Sequence, residues 1–149
     1  MRLTLYTDYS LRVLLYLAYK KDKMVTITEL AEFYEVSRNH LVKVVHNLGI
    51  QGYILTTRGK NGGLRLGRPA NEIVIGDVVR KMEPDFELLE CFNVATDHCV
   101  ITKSCSLKSV LIGARDDFLK TLDQYTIADA VKIPAKESPE FKSIPVVHG

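Results

Sequence analysis

The 149-residue sequence predicts a mainly α-helical fold with a small β-hairpin. Three observations indicate this fold: amphipathic stretches at helical spacing in the first part of the chain, a glycine-rich turn between two alternating segments, and a long apolar stripe further on. Apolar residues make up 46% of the chain, which is enough to form a packed core. We therefore expect one compact domain with an extension.

Three helical patterns occupy the first third of the sequence. Apolar residues at helical spacing over 11–18 mark the first helix, for which Thr7 or Asp8 is the expected N-cap. Thr26 opens a second, shorter helix with a capping-box pattern, and Ser37 is the expected cap of a third. Two short helices separated by so tight a break predict a helix-turn-helix.

The third helix has an apolar face and a polar, basic face. Its expected inner positions are Leu41, Val44, Val45 and Leu48. We expect Gly49 and Gly52 to end it, after which residues 53–57 and 64–66 flank a glycine-rich turn at 59–63. A hairpin directly after such a helix is a wing, so the sequence predicts a winged helix-turn-helix domain.

Basic residues are concentrated in one stretch of the chain. Residues 36–71 contain no Asp or Glu but include six Lys and Arg, although the net charge of the whole chain is only +2. A solvated positive face would account for the run, but its place on a helix-turn-helix and wing favours a surface that binds the phosphates of double-stranded operator DNA.

Side chains at the helix and wing supply the expected DNA contacts. Arg, Lys and Asn donate to base edges or phosphates, and the wing would lie on the backbone or in the minor groove. His40 and His46 have an alternative interpretation as ordinary surface residues, which we favour for His46. The predicted DNA-binding set is Thr28, Ser37, Arg38, Asn39, His40, Lys43, Arg58, Lys60, Asn61, Gly62 and Arg65.

A long helix is predicted over residues 107–125. Its apolar stripe nearly keeps heptad spacing, and about 19 residues at 1.5 Å give roughly 28 Å, longer than the small domain needs. We therefore expect a homodimer, with a core helix of a single chain as the alternative. The proline-bearing tail, residues 132–149, is expected to be mobile.

The three cysteines, Cys91, Cys99 and Cys105, have the spacing C-x7-C-x5-C. An odd number cannot be used completely by disulfides. The apolar start of the chain could be mistaken for a signal peptide, but Asp8 and Arg12 interrupt it and it is too short in apolar residues to span a membrane, so we expect a cytoplasmic protein. Cysteines close together in an irregular segment suit an iron–sulfur cluster, which still lacks a fourth ligand. Free thiols, or zinc with His98 as a fourth ligand, are the alternatives.

Several segments together match a known family. The sequence resembles the IscR-like winged-helix iron–sulfur regulators, and among them most closely the repressors that sense nitric oxide. The resemblance covers roughly residues 1–131. The segments that carry it are residues 8–9, 37–41, 58–67, 75–79, 90–92, 99–101, 105–108 and 122–129.

The resemblance implies a homodimeric repressor that leaves its operator when nitric oxide destroys the cluster. It implies that Cys91, Cys99 and Cys105 are ligands and that Asp8 of the partner subunit is the fourth, although a helix cap is the alternative role for Asp8. A [4Fe–4S] cluster is favoured over [2Fe–2S]. We interpret residues 1–83 as the DNA-binding domain, 84–106 as the cluster-binding loop and 107–131 as the dimerisation region.

Three other functions stay open on the sequence alone. The same fold could be a regulator that responds to iron–sulfur cluster supply, or a repressor that forms disulfides between its cysteines. An iron–sulfur enzyme or electron carrier is the third, but the sequence contains no substrate-pocket motif and no acid–base pair. We therefore predict a regulator rather than an enzyme.

Overall fold

The computed structural model describes residues 2–21 and 23–132. Three single 3-10 turns lie between the main elements, at Ala70–Glu72, Glu90–Phe92 and Thr102–Ser104. The helices and strands, in chain order, are α1 Leu5–Lys20, α2 Ile27–Tyr34, α3 Arg38–Ile50, β1 Ile54–Thr57, β2 Gly63–Leu66, α4 Ile75–Met82, α5 Ser106–Asp123 and α6 Ile127–Val131.

Helix α1 is the centre of the winged-helix domain. It contacts α3, α4, α6 and β2, and its buried residues lie around much of its circumference. Its N-cap is Thr4, whose side chain accepts a hydrogen bond from the backbone N of Thr7 at 3.2 Å. The prediction of a cap at Thr7 or Asp8 was wrong by about one turn, because Thr7 is fully buried inside the helix and its hydroxyl binds Glu83.

Helices α2 and α3 form the predicted helix-turn-helix. Thr26 caps α2 as expected, accepting from the backbone N of Glu29 at 3.0 Å. Glu35 ends α2 in the left-handed conformation (φ 53°, ψ 42°), which produces the tight break before α3. Ser37 precedes α3 but makes no side-chain capping bond. The predicted inner face is confirmed, since Leu41, Val44, Val45 and Leu48 are all buried.

The end of α3 differs from the prediction in one respect. The helix continues through Gly49 to Ile50, and the chain turns at Gly52, where φ is 73°. A left-handed backbone favours glycine, so Gly52 alone provides the stop.

Strands β1 and β2 form the predicted hairpin. They pair antiparallel with Ile54 opposite Leu66 and Thr57 opposite Gly63. Leu64 also exchanges backbone hydrogen bonds with Val25, at 3.0 and 2.7 Å. The hairpin is thus attached to the helical core through the segment that leads into α2.

The C-terminal part of the domain returns to the core through α6. The backbone N of Ile127 donates a hydrogen bond to the carbonyl of Ile73 at 2.9 Å, and the side chain of Ile127 is fully buried. The predicted single stripe over 107–125 is therefore interrupted: α5 ends at Asp123, and a capping box of Thr126 and Asp129 begins α6. Helix α5 itself contains no buried residue.

Two predictions concern the chain as a whole. None of the helices within residues 2–21 and 23–132 combines the length and the apolar character that a membrane span requires. The tail predicted to be mobile lies outside the described residues from position 133 onward. The proposed domain boundaries stay predictions.

Candidate nucleic-acid interface and metal centre

The start of α3 presents a polar, basic surface. Arg38, Asn39, His40 and Lys43 are exposed, because the buried face of this helix is formed by Leu41, Val44, Val45 and Leu48. Thr28 on α2 and Ser37 in the preceding turn are exposed as well. Within the part of the chain that the structure describes, no ion pair engages the cationic groups of α3. These charges are thus available to an anionic partner.

Two tyrosines of helix α1 contact α3. The hydroxyl of Tyr6 donates to the carbonyl of Lys43 at 3.2 Å, and the ring of Tyr9 stacks on His40 with centroids 6.4 Å apart. Sequence reasoning missed both tyrosines, since their partners lie more than one helix away in the chain. Together they tie the position of α3 to the first half of α1.

The wing carries its polar residues at the turn. Arg58, Lys60 and Asn61 are exposed there. Gly62 is required by close packing, because an added Cβ would overlap the backbone oxygen of Thr57. Arg65 is exposed but lies away from the turn, opposite Leu55 in mid-hairpin.

Arg65 and Arg68 have different surroundings from the other basic residues. Arg65 lines a groove between the hairpin and the end of α1, together with Lys21. Arg68 packs over the ring of Tyr53 at 4.9 Å and donates to the carbonyl of Gln51 at 3.1 Å. Arg68 therefore belongs to the scaffold of the wing, although it lies in the same acid-free stretch.

The three cysteines lie in and beside the irregular segment before α5. Cys91 is buried in a 3-10 turn, Cys99 is exposed, and Cys105 is half-buried at the N-cap of α5. All three are free thiols. In residues 2–21 and 23–132, no three His, Cys, Asp or Glu side chains are close enough together to hold a metal ion. The donor chemistry fits an iron–sulfur cluster, but one chain does not bring the predicted ligands together.

Local hydrogen bonds shape the segment around Cys99. The carboxylate of Asp97 accepts from the backbone N of Cys99 at 3.1 Å and from the hydroxyl of Thr102 at 2.8 Å. The hydrogen bond from Thr102 is the main reason that the pKa of Asp97 lies below its ordinary value. Val94 and Val100 nearby are 94% and 98% exposed, so this surface is apolar as well as thiol-bearing.

Asp8 is partly exposed on α1, where it forms a bidentate ion pair with Arg12. The Nε–Oδ1 and Nη2–Oδ2 distances are both 2.9 Å, and the hydrogen bond to Asp8 raises the pKa of Arg12. The guanidinium also lies over the rings of Tyr9 and Tyr34, at 6.0 and 5.7 Å. The spacing of Asp8 and Arg12 by four residues is the sequence signal for this pair.

A groove of about 640 Å³ runs between α5 and the segment that follows α4. Leu111, Ala114 and Phe118 line one side, and Phe86 and Leu89 line the other. Leu107 and Val110, further along α5, are 58% and 65% exposed. An apolar face of this extent on a helix without buried residues is a surface suited to another protein chain.

An exposed basic helix after a tight turn, followed by an anchored hairpin, defines a winged-helix DNA-binding protein. The comparison with known proteins agrees. Two relatives are described as the HTH-type transcriptional regulator NsrR. The one from Bacillus licheniformis is 50% identical over 132 residues, covering 88% of this chain and 92% of the relative. The one from Oceanobacillus iheyensis is 48% identical over 133 residues, covering 89% and 90%.

The fold also matches that of a solved structure. IscR from T. potens superimposes with a TM-score of 0.73, at 22% identity, over 94% of this chain and 93% of that one. The Rrf2 family model, described as an iron-dependent transcriptional regulator, matches residues 3–133. The chain belongs to the Rrf2 family of transcriptional regulators. The predicted winged-helix fold is confirmed, and so is the resemblance to this family and, within it, to regulators named NsrR.

Proposed function

We propose that this protein is an iron–sulfur-dependent repressor that senses nitric oxide and binds operator DNA as a homodimer. The observation that carries the proposal is the placement of three free thiols in the irregular segment between α4 and α5, in a chain that is 50% identical to an NsrR regulator. The DNA contacts would come from the predicted set on α2, α3 and the wing.

The ligand set would be Cys91, Cys99 and Cys105 of one subunit with Asp8 of the partner subunit. Thiolates suit iron–sulfur clusters, and a carboxylate is a harder, less matched donor. The side chain of Asp8 is 38% exposed and, among the residues that the structure describes, its ion-pair partner is Arg12, so its carboxylate is accessible to a second copy. A [4Fe–4S] cluster is favoured over [2Fe–2S]; when bound, it would supply iron that reacts with nitric oxide.

The dimer interface would include the apolar face of α5. Leu107, Val110 and Ala114 follow helical spacing on one side, and all three are exposed in the single chain. A second copy of the same helix would cover them, as in other isologous interfaces. That arrangement would also bring an α1 of one subunit toward the cysteine segment of the other.

Coupling between metal centre and DNA would run through α1. Asp8 precedes Tyr9, which stacks on His40, and Tyr6 holds the backbone of Lys43. Restraining Asp8 in the partner subunit would therefore restrain the start of α3. Two recognition helices must meet half-sites about 34–36 Å apart, or a multiple of that distance, so their relative position controls affinity.

The experiment is an anaerobic absorption spectrum during a titration with nitric oxide, with operator binding followed on the same samples. The proposal predicts cluster absorption that disappears as operator binding is lost. A chain that carries a cluster but keeps its operator after complete reaction with nitric oxide would contradict it. Colourless protein whose operator binding responds to thiol oxidants would instead favour a thiol-redox repressor.

A further inference from the structure

We propose that Glu83 is a positioning residue for the fourth ligand. Its carboxylate joins the start of the cluster-binding loop to the first turn of α1, which carries Asp8. The inference rests on the proposed function, because it concerns the ligand set named there.

The carboxylate of Glu83 accepts hydrogen bonds from three groups at the start of α1, two of the N-cap Thr4 and one of Thr7. The backbone N of Thr4 lies 3.1 and 3.2 Å from its two oxygens, and the hydroxyl of Thr4 donates to Oε2 at 3.0 Å. The hydroxyl of Thr7 donates to the same Oε2. The Thr7 side chain is fully buried, and its hydroxyl and the hydroxyl of Thr4 both lie within hydrogen-bond distance of the same oxygen, Oε2.

The charge of Glu83 is balanced by the helix rather than by a cation. Among the residues that the structure describes, no Lys, Arg or His forms an ion pair with it. The free N–H groups of the first turn of α1 form the positive end of the helix dipole. A carboxylate is suited to this place because it only accepts hydrogen bonds and carries a negative charge.

Because of its position in the chain, Glu83 not only caps α1 but also connects α1 to the end of α4 and to the start of the loop. Glu83 directly follows α4, and its backbone N donates a hydrogen bond to the carbonyl of Val79 in that helix at 2.9 Å. Glu83 also directly precedes the loop that carries Cys91 and Cys99. On the other side, the backbone N of Asp8 donates to the carbonyl of Thr4 at 3.0 Å. Two hydrogen bonds therefore connect the start of the loop to Asp8: Thr4 donates to Glu83, and Asp8 donates to Thr4.

This arrangement lets one residue influence both metal sites of a dimer. Glu83 anchors the loop of its own subunit and fixes the helix turn from which Asp8 reaches the cysteines of the other. Loss of the carboxylate should loosen Asp8 without removing any ligand. Partners that orient metal ligands commonly contribute 10–100-fold to metal retention.

The test is the rate at which anaerobic, cluster-loaded protein gives up iron to a chelator, followed by absorption. Glu83→Gln keeps the size but replaces one acceptor with an N–H donor that faces the two hydroxyls. We expect release about tenfold faster. Thr7→Val should also accelerate iron release. Thr7→Ser, which keeps the hydroxyl, should release iron at the wild-type rate.

Two controls separate positioning from a general loss of stability or charge. Tyr16→Phe removes the 2.7 Å hydrogen bond from α1 to Glu29 and should lower the unfolding temperature without changing the release rate. Glu72→Gln makes the same chemical change in an exposed side chain of the 3-10 turn before α4, outside the cluster-binding loop, and should also leave the rate unchanged. Acceleration by either control equal to that of Glu83→Gln would overturn the inference.

The decisive arm repeats Glu83→Gln in an Asp8→Ala background. Because Glu83 acts through Asp8, the added effect should fall below about twofold. An undiminished tenfold effect in that background, or no effect in the wild-type background, overturns the inference while the proposed function stands. Wild-type protein that takes up no cluster overturns both.

Discussion

The imidazole of His40 lies against the ring of Tyr9, with centroids 6.4 Å apart and an angle of 24° between the planes. The contact joins the recognition helix to the residue next to Asp8. A structural change at Asp8 would therefore reach the DNA-facing surface through this pair of rings, in addition to the hydrogen bond from Tyr6 to Lys43. Aromatic pairs of this type contribute roughly 0.5–1.5 kcal/mol beyond the area they bury.

Removal of this ring pair should weaken the coupling between cluster and DNA. In Tyr9→Leu we expect the ratio of operator affinities, cluster-loaded over cluster-free, to fall by about a factor of three or more. Fluorescence anisotropy with one operator fragment measures both affinities. His46→Ala, a change on an exposed residue of the same helix, serves as the control. An unaltered ratio in Tyr9→Leu would rule out this route.

Lys43 should act on DNA through its charge alone. It is exposed on α3 and has no ion-pair partner within residues 2–21 and 23–132. In Lys43→Ala we expect the slope of log affinity against log salt to become less negative by about 0.9 for each phosphate that the lysine neutralises in the wild type. The unfolding temperature should not change. A salt slope identical to that of the wild type would show that Lys43 does not face phosphate.

Arg68 should behave in the opposite way, although it belongs to the same basic stretch. It packs over Tyr53 and donates to the carbonyls of Gln51 and Gly52 at 3.1 and 3.3 Å. Arg68→Ala should lower the free energy of unfolding by about 1–2 kcal/mol, measured by urea denaturation. The salt slope of DNA binding should stay as in the wild type. A changed slope with unchanged stability would reverse this assignment.

The apolar face of α5 should be needed for dimerisation. Val110→Glu would place a charge in the proposed interface, and we expect a monomer by sedimentation velocity. Lys120→Glu introduces the same side chain at an exposed position of α5 that lies about 80–140° around the helix from Val110, Ala114 and Leu107, and it should leave the dimer intact. A dimer in both variants would place the interface elsewhere.

The sequence was most informative where a local pattern decides the structure. The inner face of α3 and the place of the hairpin in the chain follow from periodicity and from turn residues, so both could be predicted. The break between α5 and α6 was missed, although Thr126 and Asp129 carry a capping-box pattern that could have revealed it. Apolar spacing continues across this break and concealed it.

Contacts between distant segments could not be predicted in the same way. Glu83 and Thr4 are separated by 79 residues, and Arg80 and Asp123 by 43. No spacing rule connects such pairs, because they meet only after the helices pack. The assignment of Arg68 to the scaffold has the same origin, since charge alone does not distinguish a residue that faces phosphate from one that supports the wing.

Control of DNA binding by the metal centre is tested most directly at the three cysteines together. Operator affinity is measured without oxygen for cluster-loaded wild-type protein and for the Cys91→Ser, Cys99→Ser, Cys105→Ser variant, with circular dichroism to verify that both are folded. We expect the variant to bind roughly 5–150-fold more weakly, the range typical of coupling between two sites. A folded variant that binds its operator as tightly as the loaded wild type would contradict control of DNA binding by the metal centre.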